Sequence, residues 1–202
     1  MPRIDTVAAL EALYDAPPGE AALRKVATRL TPLYRKWIAA SRFCILTTVG
    51  PEGTDGSPRG DLGPVAVELD GRRLAMPDWH GNNRLDSLRN IVRDGRASVL
   101  FMVAGSTTVV RVNGRAWLST DDELLARFEV KGRHPRSVIV LEIAEIYTQC
   151  ARALLRSQLW TGGDQSAGLP SAGDILAEMT QGEIDGADYD KSWPERAART
   201  MW

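Results

Sequence analysis

The sequence predicts an α+β fold, an antiparallel sheet with helices around it, and three observations carry that expectation. Several β-prone runs recur along the middle of the chain, most of their connections are short enough for hairpins, and the helical patterns do not alternate regularly with the strands. Regular βαβ alternation would instead point to a doubly wound parallel sheet. With 202 residues the chain fits one domain with appendages and can bury a sizeable core.

In chain order, residues 5–14 and 19–40 carry helical patterns, the second with Leu23, Val26, Leu30, Leu33, Trp37 and Ile38 on one face. Pro32 is expected to break or kink it. Phe43 to Val49 is a continuous β-prone run and the first buried strand, followed by a Gly/Pro-rich turn from Gly50 to Gly56. Pro64 to Leu69 and Arg73 to Met76 are two strands joined at Asp70-Gly71, a hairpin signal. Arg96 to Val103 is the next strand, and Gly95 before it suits a helix C-terminus. From Thr107 to Leu118 the chain is again β-prone, but Asn113-Gly114 permits either a hairpin turn or one strand kinked at a bulge. Thr120-Asp-Asp-Glu123 reads as a capping box opening a helix to about Val130, Lys131 to Pro135 as a loop, and Ser137 to Ile146 as the last strand.

The stretch Met76-Pro-Asp-Trp-His-Gly-Asn-Asn-Arg-Leu-Asp86 joins a strand to an amphipathic helix expected to begin near Asn83, because Leu85, Leu88, Ile91 and Val92 recur at helical spacing. The first N–H groups of such a helix lack intrahelical partners and carry roughly half a positive charge, so the turn suits an anion. Gly81 would let a ligand approach the backbone, and Arg84 offers a fork of donors to two phosphate oxygens. The alternative is that Asn82 or Asn83 caps the helix and Arg84 is solvated.

Composition excludes several functions. Lys and Arg total 25 against 26 Asp and Glu, a net charge of −1, so no overall field attracts nucleic acid or an anionic membrane. No run approaches the roughly 20 apolar residues that span a bilayer, and the first residues lack a signal-peptide core, so a soluble, cytoplasmic protein is expected. Cys44 and Cys150 sit in apolar segments without CxxC spacing, which favours buried thiols, and His80 and His134 are too scattered for zinc. No Ser-His-Asp, paired-carboxylate or metal motif is present, so no catalytic acid or base is named. The tail beyond residue 160 has a short helix near Ile175–Thr180 and too little apolar content for a core of its own. It must pack on the sheet or on a second subunit, or stay mobile.

Four motifs together, Ser57-Pro-Arg-Gly-Asp61, Asp78-Trp-His-Gly-Asn-Asn-Arg84, Arg111-Val-Asn-Gly114 and Ala153-Leu-Leu-Arg-Ser-Gln-Leu-Trp160, resemble the pyridoxamine 5′-phosphate oxidase-like FMN-binding split-barrel proteins over roughly residues 40–160. The resemblance implies a six-stranded antiparallel split β-barrel with flanking helices that forms a homodimer holding two FMN sites at its interface. It divides the chain into a helical segment 1–40, a barrel domain 41–160 and a tail 161–202. It places Arg59, Gly60 and Asp61, Pro77 and Asp78, and Asn82, Asn83 and Arg84 against the cofactor, with Arg59 near the flavin or its phosphate and Asp78, Asn83 and Arg84 at the ribityl-phosphate end. Arg111 would approach from a neighbouring strand, and Arg156, Ser157 and Trp160 would come from the partner subunit, although Trp160 also suits an ordinary core anchor. The founding enzymes have an Arg-Lys pair where this chain has Asn83-Arg84, which argues against pyridoxamine phosphate as substrate. The implied function is an FMN-dependent oxidoreductase acting on a different small molecule; a flavin carrier or redox sensor, and a flavin-free dimeric interaction module, are the alternatives.

Overall fold

The computed structural model describes residues 1–14 and 16–202. In chain order these form α1 (Val7–Glu11), α2 (Glu20–Arg24), α3 (Pro32–Ala40), β1 (Phe43–Gly50), β2 (Gly53–Gly60), β3 (Val67–Asp70), β4 (Arg73–Asp78), α4 (Asp86–Arg93), β5 (Arg96–Met102), β6 (Val109–Ser119), α5 (Asp122–Ala126), β7 (Ser137–Gln149), α6 (Arg152–Ser157), α7 (Ala172–Met179) and α8 (Gly186–Thr200).

The strands make one antiparallel sheet of seven, in the order β2-β1-β5-β6-β7-β4-β3, rather than the expected six. The additional strand is β2, which the sequence disguises as a turn. The turn itself is only Pro51-Glu52, since Gly50 already pairs with Gly53. Gly, Asp, Ser and Pro are poor strand formers, but β2 is an edge that bonds only to β1, where Pro58 removes no interior bond.

Side chains alternate as a one-sided sheet requires: Cys44, Leu46 and Thr48 on β1, and Ala97, Val99 and Phe101 on β5, are buried while their neighbours are less so. Leu46 of β1 and Leu74 and Met76 of β4 line one interior void with residues of β5, β6 and β7. Strands β1 and β4 stand four places apart in the sheet, roughly 19 Å if it were flat at about 4.8 Å per strand, so the sheet is curled around its core. Leu30, Ile38 and Ile91 join that core from α3, the segment before it, and α4, while a smaller cluster of Ala75, Val138 and Val140 lies under Leu124, Leu125 and Phe128.

Asn113-Gly114 is not a hairpin turn: β6 runs through it, and the irregularity sits on β7, where Glu145 pairs with Asn113 and Ile143 with Gly114, leaving Ala144 without a partner. The extra residue changes the phase of β7, so that Ile143 and Ile146 both face inward.

Three local expectations shift. Pro32 starts a helix instead of kinking one, standing at the first turn of α3 after Thr31, whose hydroxyl accepts from the Tyr34 N–H at 3.4 Å. The cap of α5 is Asp121, not Thr120, because Ser119 Oγ already holds the Asp121 N–H at 3.2 Å. Helix α4 begins at Asp86 rather than Asn83, since Asn83 and Leu85 both have a φ of 60° in the left-handed region. Gly95, with φ 81°, follows the last residues of α4 as expected.

Among the described residues no helix is long and apolar enough to cross a membrane. The tail is more helical than its composition suggests: α7 and α8 meet at Gly173 and Gly186, where a Cβ on Gly173 would lie 2.1 Å from the Gly186 carbonyl oxygen. The two thiols differ. Cys44 is fully buried, and burial pushes its pKa up to about 12, whereas Cys150 is exposed. Iodoacetamide at neutral pH is therefore expected to modify Cys150 and spare Cys44, as read by peptide mass mapping; labelling of Cys44 in folded protein would contradict the packing of β1.

Candidate functional site

A cleft of about 760 Å³ lies where the end of β2, the end of β4, the 79–85 turn and the start of α4 converge. That size falls within the roughly 300–1,000 Å³ of small-molecule sites. Arg59 reaches it from β2 because the odd residues of that strand point inward, Asp55, Ser57 and Arg59 being half-buried between exposed neighbours. Its Nη1 donates to Asp78 Oδ1 at 2.6 Å, with the two side chains 20% and 13% exposed. The Arg59 Nε is buried and has no hydrogen-bond partner among the described residues.

The next groups form the floor and rim. Asp61 receives the Trp79 indole N–H at 3.1 Å, fixing the turn after β4 to the end of β2. Ser87 Oγ donates to Asp55, tying α4 to β2. In the turn, Asn82 Oδ1 accepts from the Arg84 N–H at 3.1 Å, the local bond that replaces a helical start. Arg84 donates to Asp86 at 2.9 Å, and its side chain is 76% exposed. Leu85 in a left-handed conformation is strain of about 1–3 kcal/mol, of the kind that collects at functional turns. The backbone at Gly81 faces open space, with no protein atom within 4 Å of where a Cβ would stand.

Of the twelve residues expected at the site, eight line this cleft: Arg59, Gly60, Asp61, Pro77, Asp78, Asn82, Asn83 and Arg84. Four do not. Arg111 stands near the start of β6, between Leu100 and Tyr147, with its Nε buried and unpartnered. Arg156 and Ser157 are exposed on α6, and the Trp160 indole N–H donates to the Ser106 carbonyl at 2.8 Å, beside the β5–β6 connection.

The cleft also holds residues that sequence reasoning passed over. Arg136, assigned to no role, donates to Asn83 Oδ1 at 3.2 Å and lies 3.1 Å from His80 Nδ1. The basic run Lys131-Gly-Arg-His-Pro-Arg136 was the available signal. Trp193 and Met201 of the tail also line the cleft. No local pattern announces them, because their placement depends on how α8 folds back. Among the described residues no group of three or more His, Cys, Asp or Glu could hold a metal.

Residues 30–150, more than half of the sequence, match the family model described as pyridoxamine 5′-phosphate oxidase. The chain belongs to the pyridoxamine 5′-phosphate oxidase family. Solved structures similar to it include HupZ of Group A Streptococcus (14% identity, 59% of this chain and 93% of that one, TM-score 0.49). Others are general stress protein 26 of Bacillus anthracis (16% identity, 56% and 88%, TM-score 0.44) and an FMN-binding protein of Syntrophomonas wolfei (16% identity, 57% and 83%, TM-score 0.43). No curated protein matches the chain.

Proposed function

We propose that the protein is an FMN-dependent oxidoreductase built as a split-barrel homodimer, acting on a small molecule other than pyridoxamine phosphate. The observation that carries the reading is the cleft of a family member in which a buried arginine keeps one donor unpartnered beside a strained, donor-rich turn. When bound, FMN would supply the hydride chemistry.

The residues suit its phosphate end. Arg84 is tied only to a carboxylate two residues away in an exposed pair, an interaction worth about 0–1 kcal/mol, so exchanging Asp86 for phosphate oxygens costs little. Asn82 and Asn83 add neutral donors, and Arg59, whose buried Nε has no partner, lines the same cleft. Asp78 keeps Arg59 in place, and Asp61 holds Trp79 at the wall.

The dimer accounts for the remaining residues. Leu155 and Leu159 are 60% and 49% exposed on and beside α6, and the unpartnered Nε of Arg111 lies on the sheet face away from the core. A twofold-related copy would cover the two leucines, and would bring Arg156, Ser157 and Trp160 toward the other cleft.

The test is a spectrum of the purified protein, chromatography of the released chromophore, and titration of the stripped protein with FMN and riboflavin. FMN is expected, and Arg84→Ala should weaken FMN about tenfold to a hundredfold while leaving riboflavin nearly unchanged. Equal losses for both flavins would move Arg84 away from the phosphate, and failure of added FMN to bind would end the reading.

A further inference from the structure

Residues 171–202 fold largely on themselves. Ser171 and Asp174 cap α7 reciprocally, and Asp185 caps α8 by accepting from the Asp188 N–H at 3.0 Å. Gly173 and Gly186 let the two helix backbones touch, and the Gly173 N–H donates to Asp190 Oδ1 at 2.9 Å. Further along α8 the Arg196 guanidinium lies 4.4 Å from the centre of the Tyr189 ring and 5.5 Å from that of Trp193, which stiffens this face of the helix. Little joins this hairpin to the sheet. Among the described residues beyond 162, the hydrogen bonds to the rest of the chain come from Arg133 Nη1 alone, to the main-chain oxygens of Trp202 at 2.8 Å and Arg199 at 3.3 Å. Trp193 and Met201 line the cleft, yet they stay 55% and 51% exposed. The connection over 161–170 is Thr-Gly-Gly-Asp-Gln-Ser-Ala-Gly-Leu-Pro, with Gly163 and Gly168 at positive φ, a composition that bends readily.

We propose that α7 and α8 form a hinged cover on the cleft, turning about residues 161–170 and latched shut by Arg133. Opening breaks the two Arg133 bonds and lifts Trp193 and Met201 from the cleft wall, while every bond inside the hairpin survives the motion. A ligand in the cleft gives those two side chains a surface to pack on, so it favours the closed position. The latch itself does not depend on what fills the cleft; only the part of the test that uses FMN rests on the flavin reading.

The test is a pulsed spin-label distance in the full-length chain, with Cys150→Ser and labels at Glu123→Cys on α5 and Glu178→Cys on α7, both exposed positions, the labelled chain being diluted into excess unlabelled chain. Cys44 is buried and takes no label. A second pair, Glu178→Cys with Lys191→Cys, reads the inside of the hairpin. The short, closed distance should dominate in the otherwise unchanged protein, and a longer one should gain about tenfold in Arg133→Met and less in Arg133→Lys, with the hairpin pair unmoved. Arg133 is exposed and its side chain bonds nothing else, so the urea midpoint of the sheet should hold. Saturating FMN should return Arg133→Met to the short distance, and that variant should release FMN about tenfold faster. Identical distances with and without Arg133, or a chain already open before the substitution, would overturn the latch. A hairpin pair that lengthens together with the first would show unfolding of the tail in place of a hinge. Bound FMN that leaves the long population and its own release rate untouched would show that the hairpin does not cover the cleft. If FMN does not bind at all, the flavin reading fails, while the two label pairs still decide the cover.

Discussion

Replacing Gly114 with alanine is expected to destabilise the protein by more than about 4 kcal/mol, enough to leave much of it unfolded at 25 °C. A Cβ on Gly114 would lie 1.9 Å from the Glu142 carbonyl oxygen, 3.0 Å from its carbon and 3.2 Å from the Ala144 nitrogen. All three are backbone atoms of the interior strand β7, so no side chain can swing aside. Relief requires β7 to retreat from β6 or to lose its bulge, and either change disturbs Ile143 and Ile146 at the core. The rescue follows from the register. Deleting Ala144 leaves Gly114 opposite Ile143 and Asn113 opposite Glu145 as now, while straightening the strand, so the deletion should recover part of the loss in the alanine background. Urea titrations of the three variants decide it. A Gly114→Ala protein within about 0.5 kcal/mol of wild type would show that the bulge does not need the glycine.

That glycine marks how far the sequence could be read. β-Prone composition located six of the strands, because Cys44, Leu46, Val99, Phe101, Val110 and Val112 are where period and burial agree. It could not choose between a turn and a bulge at Asn113-Gly114, since the residue that bulges is Ala144 on the other strand, with no local signature at all. β2 was missed for the opposite reason. Its Gly-Thr-Asp-Gly-Ser-Pro-Arg-Gly run is selected by the cleft it lines and by its edge position, not by strand propensity. The same applies to α4, whose apolar spacing over Leu88 and Ile91 was legible, but whose first turn is displaced by left-handed residues at 83 and 85.

For the candidate site, contiguous motifs were legible and distant contributors were not. Residues 59–61, 77–78 and 82–84 line one cleft because each motif ends a strand or fills a turn at the same end of the curled sheet. Arg136 joins them through the pairing of Ser137 with Asp78, a contact across 59 positions of sequence. Trp193 and Met201 depend on a glycine-to-glycine helix contact and on Arg133 binding the end of α8, neither of which has a periodic signal.

Arg59→Met is expected to cost about 3 kcal/mol, roughly 6–12 °C in Tm for a chain of this size. The change keeps the bulk of the side chain but leaves the Asp78 carboxylate, 13% exposed, without its cation. Breaking a buried pair from one side costs about 3–5 kcal/mol, and the residual exposure of both partners puts this pair at the lower end. Removing both charges should behave differently. In Arg59→Met/Asp78→Leu no carboxylate is stranded, and stability should return to within about 1 kcal/mol of wild type. If the pair existed only to hold β2 against β4, that double variant would keep every other property of the protein. If it exists to hold the Arg59 guanidinium at the cleft, the double variant folds normally and fails to bind FMN. The second result is expected, because a pair that can be replaced by apolar groups at little cost in stability contributes mainly by fixing where its arginine stands in the cleft lining. Paired urea and FMN titrations on the single and double variants separate the two, and a double variant that binds FMN as wild type does would reduce Arg59 to a structural ion pair.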